Sequence, residues 1–397
     1  MQKLKINNTI LVAAIVLLPL FSVCQNSFVK EISNFNTGIP ADPSASKILS
    51  FLFKNTIYFL DPNKYDKKDL VINAYDIIAN KKRESIFIEN NKLNRSLLNV
   101  RIFSFAITDT KVIALTDSYI FILKIEKNKA TVVNSIKNEK AAYSKIRPLN
   151  ENEFLLYVYY NFHPLDAPVR HVWAKLNIEK QTIENRTIQD DKNAIYTHLV
   201  NDWLSTYKGL IAHSNTIDYQ IYFYNDKFEK IDSINSDKLE TNKAHLNSIP
   251  DNISSKDEIM EVIQKDDSLL KRIQKIFLVD STTLLVMLKV PKSRNAEFDL
   301  WQKKSGAWVL KKTESINTFY QDKQAYNSSN NKINPFYGSM YGTPTGSSNM
   351  FYIIYTPFME DITTDSFNLN KDYNQKINDM VRDNKVFYGI KKIKIIP

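Results

Sequence analysis

Cysteine occurs once in 397 residues, at position 24, and glycine only seven times. One cysteine cannot close an internal disulfide or supply a CxxC-type metal site, so a disulfide-stapled scaffold and a zinc ribbon are both excluded. Seven glycines leave no room for a double-glycine signature in every repeat. Three of them fall in YGSMYGTPTGSSNM at 337–350, which lacks the Gly-Lys-Ser/Thr ending of a phosphate loop. That stretch reads as a surface loop, with Tyr337 and Tyr341 as faces on which a sugar could stack. No apolar run reaches the roughly 20 residues needed to span a bilayer. No basic cluster or arginine stripe accompanies the net charge of +10, so nucleic acid is not an expected partner. A GxSxG nucleophile elbow is also missing.

What is present begins with the first two dozen residues. Lys3 and Lys5 precede an apolar run from Ile10 to Phe21 and then the small Ser22, the order of a secretory signal over residues 1–24. Two processing outcomes fit FSVCQ. Ordinary cleavage after Cys24 leaves Gln25 leading. A lipoprotein signal instead keeps Cys24 as the acylated first residue, although Phe21 and Val23 depart from that pattern. The first outcome makes the protein periplasmic or extracellular; the second makes it an outer-membrane lipoprotein, the only case in which a membrane is expected as a partner. Removing Lys3 and Lys5 takes the charge from +10 to +8, which suits an anionic envelope polymer. The excess is nevertheless spread through a chain rich in Lys, Asn and Ile. Hydrophobic residues at 43% and aromatics at 12% supply a core for residues 25–397 without disulfides.

With glycine scarce, Asn, Asp and Lys mark the turns, and between them lie β-rich runs. KVIALTD, YIFILKIEK and ATVVNSI follow one another over 111–136, with DS and NK as hairpin separators. The same phrase recurs as EFLLYVYY, HVWAKLNIEK and TIENRTI (153–188), as KGLIAHSN, YQIYFYN and FEKIDSI (208–234), and as TTLLVMLKV, EFDLWQKKSG and WVLKKTESI (282–316). An earlier copy lies at 55–89. One further apolar run precedes each copy, which makes four strands per unit, and copies end near Ile88, Ile136, Ile188, Ile234 and Ile316. Four-stranded units at this period predict an all-β fold, a six-bladed β-propeller, because one such sheet cannot bury both faces alone. The last unit has NMFYIIYTP and KVFYGIKKIKII, with a weaker run near PFYGSMYG as its innermost strand, but no outermost strand. SFVKEISNF at 27–35 matches KFEKIDSIN at 227–235 in pattern, and it is expected to close the ring from the N-terminal side.

On this strand pattern the chain resembles the secreted six-bladed propellers of bacteria, of TolB-like or NHL-like architecture. The resemblance covers nearly all of the mature chain and implies a binding platform, or in some members a hydrolase or lyase; it brings no specific function.

Residues 235–274 break the period and predict an α-helical insertion. SSKDEIMEVIQKDDSLLKRIQKIF opens with Ser255 and Glu258 at capping-box spacing, and Ile259, Val262, Ile263, Leu269, Leu270 and Ile273 share roughly one face. The loop NFHPLDAPVRH at 161–171 gathers His163, Asp166, Arg170 and His171, stiffened by Pro164 and Pro168, on the expected ligand-binding face, with His198 and Asp202 on a neighbouring unit. His and Asp can ligate metal or move a proton, yet no second cluster at ligand spacing accompanies them, and neither metal nor cofactor is expected.

The expected innermost strands are poor in carboxylates and carry Lys47, Lys145, Arg147, His198 and Lys275. The paired carboxylates of a glycosidase are not evident. The reading is therefore a non-enzymatic exported propeller, a binding or scaffold protein of the cell envelope. It takes an anionic ligand or a protein partner through Lys145, Arg147, His163, Asp166, Arg170, His171 and His198. The alternative is a hydrolase or lyase acting on a glycan or lactone from the loop face.

Overall fold

The structure, a computed structural model, describes residues 29–41, 48–60, 69–138, 143, 145–150, 152–157, 171–188, 203–215, 217–242, 244, 261, 269–291, 293, 295–317, 339–342, 349–355 and 387–396. The signal segment and Cys24 lie outside them. The described chain is almost entirely antiparallel strand. One sheet holds β10 (Lys145–Pro148), β11 (Glu153–Tyr157), β12 (His171–Asn177) and β13 (Thr182–Ile188) in that order. The next holds β14 (Leu204–Tyr207), β15 (Leu210–Ser214), β16 (Gln220–Tyr224) and β17 (Lys230–Asn235). A third holds β18 (Arg272–Asp280), β19 (Thr283–Lys289), β20 (Asn295–Lys304) and β21 (Ala307–Asn317).

The first half of the chain forms an eight-stranded sheet made of two meanders. One is β2 (Leu49–Phe53), β3 (Thr56–Leu60), β4 (Leu70–Asp76) and β5 (Lys81–Ile88). The other is β6 (Ile102–Ile107), β7 (Lys111–Thr116), β8 (Tyr119–Glu126) and β9 (Lys129–Lys137). A single parallel bridge, Phe87 to Lys129, joins them. The Phe87 N–H donates to the Asn128 carbonyl at 2.8 Å, and Lys129 pairs with Glu89 at 2.6 Å. Between the meanders lies one helical turn, α1 (Arg95–Leu98).

The last sheet mixes the two ends of the chain. β22 (Ser339–Gly342), β23 (Met350–Tyr355) and β24 (Phe387–Ile395) are completed by β1 (Val29–Pro40). β1 pairs with β24 from Val29–Ile395 to Pro40–Phe387, and the Thr37 hydroxyl donates to the Tyr388 carbonyl at 2.7 Å. Residues 339–342 are thus strand and not surface loop, because they supply the fourth strand that this sheet otherwise lacks.

Packing explains why the strands in the middle of each sheet are apolar on both sides. Side chains of a strand alternate between its two faces, and here each face meets a different neighbour. In β23, Phe351 and Ile353 pack with Leu285 and Phe298 of the preceding sheet, while Tyr352 and Ile354 pack with Ile57 and Phe59 of β3. In β11, Phe154 and Leu156 join the core of the eight-stranded sheet, and Leu155 and Tyr157 join Trp203 and Ile211. In β19, Leu285 faces the last sheet, and Leu284, Val286 and Leu288 face Tyr219 and Phe223. Each such buried side chain contributes roughly 1.5–3 kcal/mol. This face-to-face succession is a propeller architecture.

A buried polar cluster ties the β14–β17 sheet to the β18–β21 sheet. The Asp299 side chain, on β20, is 0% exposed. It accepts hydrogen bonds from the Tyr219 hydroxyl at 2.7 Å, from Thr313 at 2.7 Å and from Lys238 at 2.5 Å. Trp301 donates to the Tyr219 oxygen at 2.8 Å, and Glu297 takes Lys238 at 3.0 Å and Lys271 at 2.8 Å. Lys238 sits in a short 3-10 turn (Asp237–Leu239) directly after β17.

The expected helix through 274 is corrected at its C-terminal end. β18 begins at Arg272, where Ile273 and Ile276 pair with Leu288 and Val286. Burial on both faces of a strand overrides the spacing of three that also suits a helix. Leu269 and Leu270 precede the strand outside any helix, and Leu269 is half exposed. Among the described residues of this segment, 241, 242, 244 and 261 have helical backbone; Ser255, Glu258, Ile259, Val262 and Ile263 lie outside the described residues.

Candidate ligand-binding cavity

Each unit contributes its first strand to the middle of the molecule. β2 lies beside β6, β6 beside β10, β10 beside β14, β14 beside β18, and β18 beside β22. Tyr341 on β22 then reaches β2, where its hydroxyl donates to the Ser50 carbonyl at 2.5 Å and lies 3.0 Å from the Ser50 Oγ. Tyr341 is therefore a strut between two inner strands, not a free face for a sugar.

A cavity of about 240 Å³ lies among these strands. Phe51, Leu52, Pro148, Leu204, Ile276, Phe277 and Met340 give it apolar walls, with Tyr207 and Tyr341 beside them. Its polar lining is Ser205, Thr206 and four cations: Lys54, Arg147, Lys208 and Lys275. None of the sixteen described residues that line it is Asp, Glu, Asn, Gln or His.

Depth sorts the cations. Lys275 is 9% exposed and Arg147 half-buried, whereas Lys54 and Lys208 are exposed. Lys54 and Lys208 occupy the turns that follow β2 and β14, both with positive φ (51° and 45°). The mouth therefore lies where the inner strands end. Lys54 is paired with Asp109 at 2.6 Å across the rim, and the Lys208 Nζ stands 5.5 Å from the Tyr207 ring centroid. Tyr207 crosses toward β22, and this is possible because residue 342 is glycine. A Cβ there would sit 3.2 Å from the Tyr207 ring and 2.8 Å from the Val279 carbonyl oxygen.

Of the described residues selected from sequence, Arg147, Lys275 and Tyr341 meet in this cavity. Lys145 shares a strand with Arg147 but pairs with Tyr157 at the opposite end, where it is buried outside the lining. His171 opens β12, the third strand of its sheet, in register with Ile188. It belongs to a strand and not to the loop. His163, Asp166, Arg170, His198, Asp202 and Lys47 lie outside the described residues. Lys54, Thr206, Tyr207 and Lys208 were missed. Their one sequence signal is that Lys54 and Lys208 follow an inner strand at a hairpin turn.

One buried histidine went unnoticed too. His213 on β15 lies edge-on to Trp203 at 5.3 Å and stacks with Tyr222 at 6.3 Å. Among the described residues no group of three His, Cys, Asp or Glu is placed to hold a metal ion. No helix among them is long and apolar enough to cross a membrane.

No family model matches the sequence, and no curated protein matches it. Solved structures do resemble it. One is a protein of Bacteroides fragilis NCTC 9343 whose name carries export as an expectation. It aligns over 94% of this chain and 97% of its own, with a TM-score of 0.55 and 10% identity. Another is a member of the DUF4221 family from Bacteroides vulgatus, aligned over 92% of this chain and 98% of its own, with a TM-score of 0.46 and 11% identity. A third is the Dos1 propeller, aligned over 77% of this chain and 65% of its own, with a TM-score of 0.38 and 8% identity. At such identities the first likeness is one of fold alone.

Proposed function

We propose that this chain is an exported six-bladed propeller of the cell envelope, closed by β1, that binds an anionic ligand in its central cavity. The eight-stranded sheet counts as two blades in this reading. The cyclic order of the inner strands and the pairing of β1 with β24 support the ring. The signal pattern of residues 1–24 supports export. The observation that carries the ligand is the lining: Arg147, Lys208 and Lys275 line one cavity with Lys54 at its rim, and among the described lining residues there is no carboxylate, Asp109 being paired with Lys54 outside that lining. A charge-assisted hydrogen bond contributes about 1.5–3 kcal/mol, so two such cations suffice for specific retention of an anion.

Calorimetric titration tests this with two kinds of probe, a polyanionic glycan (polygalacturonate) and small carboxylates. Saturable binding to at least one is expected, with a loss of about tenfold or more in the Arg147→Gln, Lys275→Met double variant. Equal affinity in the variant, or no binding to either kind, would overturn the proposal. Export is read separately from the mass of the mature N-terminal peptide in fractionated cells. A peptide led by Gln25 makes the platform soluble, whereas an acylated Cys24 makes it tethered. Retention of Met1 would remove the export arm.

A further inference from the structure

We infer that the outer edge of the last sheet, where β1 begins and β24 ends, is a surface that rests on an anionic lipid bilayer. It is separate from the central cavity and rests only on the export reading above. The register of the two strands is the starting point. Lys30 on β1 stands directly opposite Lys394 on β24. Lys392, two residues back along β24 and so on the same face, stands opposite Ser33. Lys30 and Lys394 are exposed, and Lys392 is half-buried. Like charges directly opposite one another destabilise a sheet, yet among the described residues no carboxylate is paired with any of the three. An anionic surface laid against this edge would neutralise all three together.

Two further observations make that surface a bilayer. Ile32, the extra residue of the bulge between Glu31 and Ser33, is 47% exposed, and Ile396, the residue after β24, is 45% exposed. Each stands two residues from a lysine of the patch. A soluble polyanion would leave the isoleucines unused, whereas a bilayer interface takes both kinds of side chain, cations at the headgroups and apolar groups beneath them. The second observation is the path of the chain. Val29 follows Cys24 by five positions, a span of at most about 18 Å, and residues 1–24 carry the signal pattern that brings this end to a membrane. A chain held there by its amino end lays this edge against the lipid first. Three lysines alone are a weak anchor, about fivefold each beside an anionic surface. With one acyl chain on Cys24 they complete the two signals that stable anchoring needs.

The test uses the chain that begins at Cys24, its only thiol coupled to a single-chain maleimide lipid, so that every sample carries the same tether. Sedimentation compares vesicles of phosphatidylcholine with vesicles that also contain phosphatidylglycerol. Binding to the anionic vesicles is expected to be about tenfold tighter or more, with a preference that shrinks as salt is raised. The Lys30→Gln, Lys392→Gln, Lys394→Gln variant should lose that preference. If it does not fold, Lys30→Gln with Lys394→Gln, both at exposed positions, serves in its place. Ile32→Ser with Ile396→Ser should weaken binding to the anionic vesicles several-fold. Equal binding of the parent to both vesicles, or a preference that survives loss of the lysines, would overturn the inference. Isoleucine variants that bind like the parent would also overturn it, in favour of a soluble acidic partner. The mature N-terminal mass tests export apart from this: retained Met1 overturns the export reading, whereas a processed chain without the lipid preference overturns this inference alone.

Discussion

Asp299→Ala is expected to destabilise the protein by about 3 kcal/mol, the low end of the 3–5 kcal/mol seen when one partner of a buried ion pair is removed. Asp299 is fully buried and takes three hydrogen bonds, from Tyr219, Lys238 and Thr313. Without it, the Tyr219 hydroxyl loses its acceptor inside the core. The loss stays near the low end because Lys238 is part-exposed and keeps Glu297 at 3.0 Å. Asp299→Asn, which retains an acceptor, should cost less. Urea unfolding monitored by tryptophan fluorescence measures both, and an unchanged midpoint for the alanine variant would refute the assignment.

The same cluster carries a pH signature. Burial, with the Asp299 charge beside it, raises the Tyr219 phenol well above its ordinary value of 10.0. The folded protein therefore holds that proton more tightly than the unfolded chain does. This contribution is complete below the ordinary tyrosine value and is lost as pH rises beyond it. Burial raises Tyr143 as well, to about 12. At the acid end, burial opposes charge on Glu297, but Lys271 and Lys238 outweigh it and hold its carboxyl below the ordinary 4.5. That stabilisation is present above about pH 4.5 and disappears as pH falls through the lowered folded value.

Deletion of residues 29–40 is expected to have a larger effect still, the loss of cooperative folding. β1 is the hydrogen-bonding partner of β24 along nearly its whole length. Ile39 is 0% exposed in a core shared with Phe59, Tyr75 and Tyr388. Removing the strand bares the edge of β24 and opens the seam between the last sheet and β3. A bared edge of this kind is a template for aggregation. The gentler variant Ile39→Ala should cost about 2–5 kcal/mol. A truncated protein that stayed monodisperse and unfolded in one transition at the parent midpoint would show that β1 is dispensable.

The strands were legible in the sequence because those in the middle of each sheet are apolar on both faces and the outer ones are bounded by Asn, Asp or Lys turns. β5 and β13 end at Ile88 and Ile188, and β17 and β21 end one residue beyond Ile234 and Ile316. Arg147 and Lys275 were legible because they interrupt apolar inner strands. IQKIFLVD at 273–280 reads both as the apolar run before its unit and as the end of the expected helix, and the pairing of β18 with β19 decides for the strand. The mouth of the cavity was not legible. Lys54 and Lys208 look like ordinary turn residues, and only the arrangement of the inner strands makes them neighbours. The loop at 161–171, the conspicuous cluster of His and Asp, lies outside the described residues except for His171.

The pairing of β1 with β24 also imposes an order in time. A chain that is exported amino end first delivers β1 long before its partner; Thr37 and Tyr388, joined by a hydrogen bond, stand 351 residues apart. Closure entropy grows only logarithmically with such a span, but long-range strand pairing slows folding. During the wait β1 is an unpaired edge. Lys30, Asn34 and Asn36 on its exposed face, and Pro40 at its end, are residues that discourage pairing with a stranger. The arrangement works as a test of completeness. A chain broken off before residue 387 keeps an open edge that proteases and chaperones can recognise, and only one that carries both strands can hide it.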